Sequence, residues 1–158
     1  MGRQRMALGF GERGVRDMSA FRSLANSYLT KARVRRQALD LFWAAEDYSD
    51  VVREAQEIVE LATKGILRGI GVEPPKRHDV ADLLAHYEDR LPKAEWARLA
   101  AASKWLRTER EFSFYGDIDF IPTEEYSAAE AKEAIAAADL AIALAALTLA
   151  GTPPAATT

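Results

Sequence analysis

One stretch of the chain, from Asp47 to Ile70, restricts the possible folds more than any other. Its apolar residues recur at intervals of three and four, which places them on one side of an α-helix. They are Val52, Ala55, Val59, Ala62, Ile66 and Ile70. The helix starts near Asp47 or Ser49, where Ser49 can cap its first turn, and Gly69, Gly71 and the Pro74-Pro75 pair end it. The stretch predicts a helix that needs other elements to cover its apolar side.

The rest of the chain continues in the same helical pattern, and the apolar/polar alternation of strands is rare. It predicts four further helices, which span about Ser19–Ala45, Asp79–Arg90, Pro92–Tyr115 and Ser127–Ala150. Short turns join them, so we expect an all-α, up-and-down bundle of four to five helices. The domain organisation that follows is a flexible basic arm over 1–18, the bundle over 19–150 and a disordered tail over 151–158.

The last predicted helix has the clearest start in the chain. Ser127 and Glu130 have the spacing of a capping box, in which each side chain accepts a hydrogen bond from the backbone of the other. Alanine dominates the helix that follows, and small side chains let helix backbones approach closely. An exposed apolar side on this helix would favour a partner helix, most simply from a second copy of the chain.

The residue inventory excludes several kinds of site. The chain has no cysteine, which removes disulfides, thiolate zinc sites and a cysteine nucleophile. It has two histidines, and its glycines lack the spacing of a phosphate loop, so we expect no metal and no cofactor. The longest apolar run, Leu140–Ala150, is shorter than the ~20 residues of a membrane-spanning helix. We expect a cytoplasmic protein without a leader or a membrane contact.

Charge is unevenly distributed along the chain. Residues 1–36 contain nine basic and two acidic side chains, although the whole chain has a net charge of −3. Such a basic segment can contact RNA phosphates. It can equally be a solvated start that pairs with the acidic surface of its own protein. The sequence leaves both interpretations open.

An arginine interrupts the apolar side of the helix predicted over 92–115. That side consists of Trp96, Leu99, Ser103, Leu106 and Arg110. A half-buried guanidinium needs acceptors, because an unpaired buried charge is costly. Arg110 either pairs with an acid of the second helix or binds phosphate together with Arg107 at a cleft. The candidate acids are Glu54, Glu57 and Glu60.

Three polar residues of the second helix, Gln56, Glu60 and Lys64, follow one another at four-residue steps. Such neighbours form ordinary stabilising pairs on a helix surface. The alternative is a polar seam between two bundles.

Three segments together resemble the HEPN family, the higher eukaryote and prokaryote nucleotide-binding domain. They are Ala55–Leu67 with its Gln56-Glu60-Lys64 steps, His78–Leu84, and Leu106–Asp117 followed by Pro122 and Tyr126. The resemblance covers roughly residues 45–147. It implies a four- or five-helix bundle that is commonly a homodimer, and an association with RNA cleavage or with minimal nucleotidyltransferases in toxin–antitoxin pairs.

The resemblance also implies candidate site residues. Ribonuclease members of the family have an arginine followed by a histidine after four to six residues, whereas here Tyr115 stands five residues after Arg110. A tyrosine titrates near pH 10 and is a poor general base at neutral pH. If the chain is a ribonuclease, the resemblance leaves Arg110 and Tyr115 as its catalytic candidates. The candidate nucleotide- or phosphate-binding residues are Arg107, Arg110, Tyr115, Lys64 and His78. His78 can instead brace the turn before the third helix.

Three hypotheses follow for the function. The first is a dimeric module that binds a nucleotide or RNA phosphate and partners a minimal nucleotidyltransferase in a toxin–antitoxin-like system. The second is a metal-independent ribonuclease with an atypical Arg/Tyr site. The third is a helical adaptor that binds no ligand.

Overall fold

The computed structural model describes residues 9–76, 80–91, 93–114 and 118–151, and within them it contains α-helices and no strand. The α-helices are α1 (Gly9–Ala44), α2 (Tyr48–Gly69), α3 (Ala81–Ala85), α4 (Lys93–Phe114), α5 (Pro122–Glu125) and α6 (Ala128–Gly151). A 3₁₀ turn, Glu88–Arg90, separates α3 from α4. The predicted all-α bundle is confirmed.

Helices α2 and α6 form the central pair of the bundle. Helices α1 and α4 each pack against this pair and have hardly any contact with each other. Helix α4 runs antiparallel to α2, because Arg90 lies beside the end of α2 whereas Arg110 lies beside its middle, at Glu57. Helix α6 runs parallel to α2, since Leu149 contacts Gly69 near the ends of both helices. The bundle therefore has the predicted up-and-down order.

Small residues bring the helix axes of the core close together. A Cβ atom added to Gly65 would lie 3.4 Å from the carbonyl oxygen of Ala25 in α1. One added to Gly69 would lie 3.1 Å from Cδ2 of Leu149 in α6. Helix α6 presents a row of buried alanines to the same core: Ala131, Ala134, Ala138, Ala141 and Ala145. Backbones at this distance gain many weak contacts.

Two helix starts use side-chain caps. Asp47 caps α2, because its Oδ1 accepts a hydrogen bond from the backbone N–H of Asp50 at 3.3 Å. The prediction that Ser49 caps the helix is wrong, because Ser49 lies inside α2 and donates its hydroxyl to the same Asp47 oxygen at 2.9 Å. The capping box of α6 is confirmed: the backbone N–H of Ser127 donates to Glu130 Oε2 at 2.7 Å, and that of Glu130 donates to Ser127 Oγ at 3.4 Å.

The structure moves three of the predicted boundaries. Helix α1 begins at Gly9 instead of about Ser19, and so takes in part of the segment predicted to be a flexible arm. The predicted third helix is divided into α3 and the 3₁₀ turn. The predicted loop before Ser127 contains the short helix α5, which Pro122 opens with a backbone angle suited to a first turn. Residues 1–8 and 152–158 lie outside the described residues.

Helix α6 is long and apolar enough to cross a membrane, by length and composition only. This is weak evidence, because the core helices of soluble bundles meet the same criteria. In this chain the helix has a core role: one of its sides is buried against α2, and its Asp139 accepts a hydrogen bond of 2.6 Å from Arg36 of α1.

Candidate phosphate-binding site

Helix α2 is buried on almost every side and reaches solvent along a single line. Between Arg53 and Arg68, five residues are partly exposed and all the others are buried. The five are Arg53, Glu57, Leu61, Lys64 and Arg68. Their steps of three and four place them on one side of the helix. We call these five residues the α2 line; it runs between α1 and α4.

Three carboxylates of α2, beside or on the line, each hold a cation. Glu54 accepts from Arg35 of α1 at 2.6 Å. Glu57 accepts from Arg110 of α4 at 2.8 Å, and Glu60 accepts from Lys64 of α2 itself at 2.7 Å. Glu54 and Glu60 are both buried. Ion pairs of this kind satisfy buried charges that would otherwise destabilise the bundle.

Arg35 forms the α1 side of the site. Its hydrogen bond to Glu54, and then the charge of Glu54, raise the pKa of the guanidinium above its ordinary value, and Glu57 adds to the effect. Arg35 is therefore permanently charged at any physiological pH. Its side chain is 47% exposed, so the charge stands at the rim of the site.

Arg68 closes one end of the α2 line. Its guanidinium lies over the rings of Phe21 and Tyr28, at 5.2 and 5.8 Å from their centroids, and pairs with Glu73 at 2.7 Å. The side chain is only 12% exposed. Arg68 therefore braces α1 against α2 and has little surface left for a ligand.

The structure brings two of the sequence-predicted site residues to the α2 line. Arg110 reaches it from α4 through the ion pair with Glu57, as the first alternative of the sequence analysis predicted, and its side chain remains 32% exposed. Lys64 lies two turns further along α2 than Glu57, a distance of about 10 Å. Arg107 is exposed one turn before Arg110 on α4. Tyr115 and His78 lie outside the described residues.

The Gln56-Glu60-Lys64 steps form a chain of contacts inside one bundle. Gln56 Nε2 donates to Glu60 Oε2 at 3.3 Å, on the other side of the carboxylate from Lys64. Gln56 and Glu60 are 4% and 7% exposed. A polar seam between two bundles is therefore not available to them, because their own chain already covers both side chains. The pair predicted as an ordinary stabilising interaction is present.

The described part of the site offers charges and hydrogen-bond donors and contains no imidazole. His86 is exposed in the turn after α3, and no group of three potential metal ligands occurs among the described residues.

The buried Tyr126 donates its hydroxyl to Glu109 at 2.8 Å. Burial raises the pKa of this phenol, and the bond to Glu109 raises it further, so Tyr126 keeps its proton at neutral pH. The described cations of the site, together with its hydrogen-bond donors, suit the binding of an anion.

The sequence analysis missed the contribution of α1 to the site. It grouped Arg35 with eight other basic residues of the N-terminal segment, without a partner. The spacing along α1 could not identify Glu54 as that partner, because the pair depends on how α1 and α2 pack. Arg53 was also missed, although it stands four residues before Glu57, at a spacing that marks neighbours on one helix.

The molecule is thus an all-α bundle whose central helix exposes one charged line between two flanking helices. A family model, the HEPN domain, matches residues 25–146. The match covers most of the chain, including all of α2 and α4, so the chain belongs to the HEPN domain family. Membership makes it a nucleotide- or RNA-related module at the level of the family. No curated protein and no solved structure matches the chain significantly.

Proposed function

We propose that the protein is a dimeric HEPN module that binds the phosphates of a nucleotide or of RNA along the α2 line. The observation that carries the proposal is the placement of Arg110 and Lys64. They come from different helices, are each held by a carboxylate of α2, and both stand where this otherwise buried helix reaches solvent.

Rigid placement is what favours phosphate at this position. The carboxylates fix the cations on helices instead of mobile loops, so little side-chain entropy is lost when a ligand binds. Cations outnumber acids in and around the line. The cations are Arg35, Arg53, Lys64, Arg68, Arg107 and Arg110, and the acids are Glu54, Glu57, Glu60 and Glu73, which pairs with Arg68. The planar fork of Arg110 matches two oxygens of a phosphate, while Glu57 keeps the fork oriented.

The wider setting is also a proposal. The family resemblance favours a minimal nucleotidyltransferase as partner, in a toxin–antitoxin-like pair in the cytoplasm. Tyr115 stands at a position where ribonuclease members have a histidine, which favours binding over cleavage. No cofactor is needed for this role.

Fluorescence anisotropy with a labelled single-stranded RNA and with a labelled nucleotide tests the proposal. We expect Arg110→Ala to weaken binding at least tenfold, because a charge-assisted contact is worth roughly 1.5–3 kcal/mol. Arg98→Ala is the matched control: Arg98 is an exposed arginine of the same helix, about 18 Å away along its axis. Binding that neither variant changes, or no binding by the wild-type protein, would contradict the proposal.

Glu57→Gln provides a second, opposite test of the same site. The substitution removes the negative charge beside Arg110, while the amide oxygen of glutamine can still accept a hydrogen bond from the guanidinium and keep it oriented. We expect tighter binding of the labelled RNA together with some loss of thermal stability, because the partly buried ion pair is lost. A purely structural role for the pair predicts the loss of stability without any gain in binding.

The same samples distinguish the alternatives. A ribonuclease would cleave the RNA, and Arg110→Ala would abolish cleavage while the helical circular dichroism signal survives. A helical adaptor without a ligand would bind neither probe, and Arg110→Ala would only lower its melting temperature.

A further inference from the structure

The outer side of α6 carries a second line of residues, and it differs in chemistry from the α2 line. Its members follow one another at steps of four, three, four and three: Ala136, Leu140, Ala143, Leu147 and Ala150. All are exposed except the partly buried Leu140, and Leu147 is 60% exposed. We call these five residues the α6 seam. An apolar repeat of this period is typical of two helices that pack along each other.

The seam is continuous, unlike the pair of exposed apolar residues at the middle of α1. Helix α1 exposes Val34 and Leu41 even more, at 61% and 69%, but the polar Thr30 and Gln37 share that side of the helix. Single exposed apolar residues are normal on protein surfaces, whereas a contiguous row indicates a contact. Val34 and Leu41 therefore need no partner.

We infer that the α6 seam is the contact between two copies of this chain, packed with their α6 helices antiparallel. The inference rests on the dimer in the proposed function and not on its ligand. In an antiparallel pair the alanine positions of one seam face the leucine positions of the other across the two-fold axis. Ala143 then faces the partner's Leu140, and Ala136 faces the partner's Leu147. Four layers therefore join one alanine and one leucine, which fills the space evenly, and Ala150 at the end of the row faces the partner's Glu133.

A parallel pair would fit less well. It would place alanine against alanine and leucine against leucine, and so alternate gaps with crowded layers. The seam is therefore complementary to itself only in the antiparallel arrangement. Self-complementarity is what a two-fold contact between identical chains requires, because the same surface must serve on both sides.

The charges around the seam do not oppose a second copy. Asp139, the one acid within the span of the seam, is held at 2.6 Å by Arg36 of its own chain, so its charge is already paired. Glu133 occupies the preceding leucine position and ends the apolar row. Lys132 and Glu133 would both lie close to the C-terminal end of the partner's α6, so the helix dipole, which favours only the cation, has little net effect on the contact.

The seam spans about 21 Å of helix, which is short for a permanent interface. We therefore expect a reversible dimer whose fraction rises with protein concentration.

Sedimentation velocity of the full chain over a range of concentrations tests the inference. We expect Leu147→Lys to shift the protein to the monomer at concentrations where the wild type is dimeric. Leu41→Lys is the control, because it places the same charge at an equally exposed leucine of α1. Circular dichroism shows whether both variants keep their helices.

Three results would overturn the inference. A Leu147→Lys protein that remains folded and dimeric would exclude the α6 seam but leave the dimer of the proposed function in place. A monomer produced by Leu41→Lys alone would move the contact to α1. A wild-type protein that is monomeric at every concentration would remove both the seam and the dimer, while the RNA-binding assay would still decide on the α2 line.

Disulfide trapping tests the direction of the helices, since the natural chain has no cysteine to interfere. We expect a mixture of the Ala143→Cys and Leu140→Cys proteins to form crosslinked dimers faster than either protein alone. Faster crosslinking of Ala143→Cys with itself would indicate a parallel pair and overturn the proposed arrangement.

Discussion

Asp50 shows how a single carboxylate can oppose the fold that surrounds it. Partial burial raises the pKa of its side chain, and the neighbouring Asp47, which caps α2, raises it further through its charge. The nearby Arg53 lowers the pKa without reversing the shift. The dipole of α2 acts against this shift, because it favours a negative charge in the first turn of a helix.

We therefore expect Asp50→Asn to raise the melting temperature at neutral pH. A carboxyl group whose pKa is raised by folding binds its proton more tightly in the folded state, so stability is lost as the pH rises through that pKa. The gain from asparagine should therefore shrink as the pH falls towards 3.8, the ordinary value for the group. Thermal unfolding at several pH values measures it.

The exposed Asp89 provides the control for this prediction, because Asp89→Asn should change the melting temperature little at any pH. An Asp50→Asn protein that is less stable than the wild type at pH 7 would mean that the helix dipole or an unseen contact dominates. The prediction would then be wrong.

At the scale of single residues, the sequence predicted that Arg110 needs an acidic partner but could not predict which acid it is. Arg110 stood out because it lies on an apolar helix side, and the three acids of α2 were named as its candidate partners. The choice of Glu57 depends on the rotation of α4 against α2. Such a rotation is set by the packing of whole helices, and no short-range pattern encodes it.

Helix α2 contacts α1, α4 and α6, and Gly65 is a position where α1 approaches it closely. A Cβ atom at this position would meet ordinary van der Waals distances, 3.4 Å from Ala25 and 3.6 Å from Tyr28. Larger side chains have no space there, because the atom next to Ala25 is a backbone oxygen that cannot rotate away.

Two substitutions at Gly65 should therefore have opposite effects. We expect Gly65→Ala to stabilise the protein by up to about 1 kcal/mol, since alanine is the better helix former. Gly65→Leu should destabilise it by roughly 1–3 kcal/mol, because it forces α1 and α2 apart. Urea unfolding followed by circular dichroism measures both. Equal stability of the two variants would show that the helices are not in close contact at this point.

Elements with strong local signals were predicted well from the sequence. The apolar spacing of α2 and the capping box of α6 each located a helix to within a few residues. The start of α1 was missed, because extending an existing helix costs little and no proline stops it between Gly9 and Ser19. Helix α5 was missed because a single turn has no periodicity to detect.

For the whole molecule, an overall charge of −3 makes any RNA binding depend on a local concentration of cations. Each phosphate contact to a single strand contributes about −0.7 to the slope of log affinity against log salt concentration. If Lys64, Arg107 and Arg110 make one contact each, we expect a slope of about −2 for the wild type. Arg110→Ala should make the slope less steep by about 0.7. Anisotropy titrations between low and moderate salt measure it, and an affinity that ignores salt would contradict phosphate contacts.

The position of α2 and α6 as a central pair has a geometric consequence for any assembly. The α2 line lies between α1 and α4, whereas the α6 seam lies on the exposed side of α6. In a dimer joined through the α6 seam, the two phosphate-binding sites would lie outside the contact, one on each chain. A short oligonucleotide could then occupy only one site at a time, whereas a long strand that reaches both sites would bind more tightly because its second contact is intramolecular.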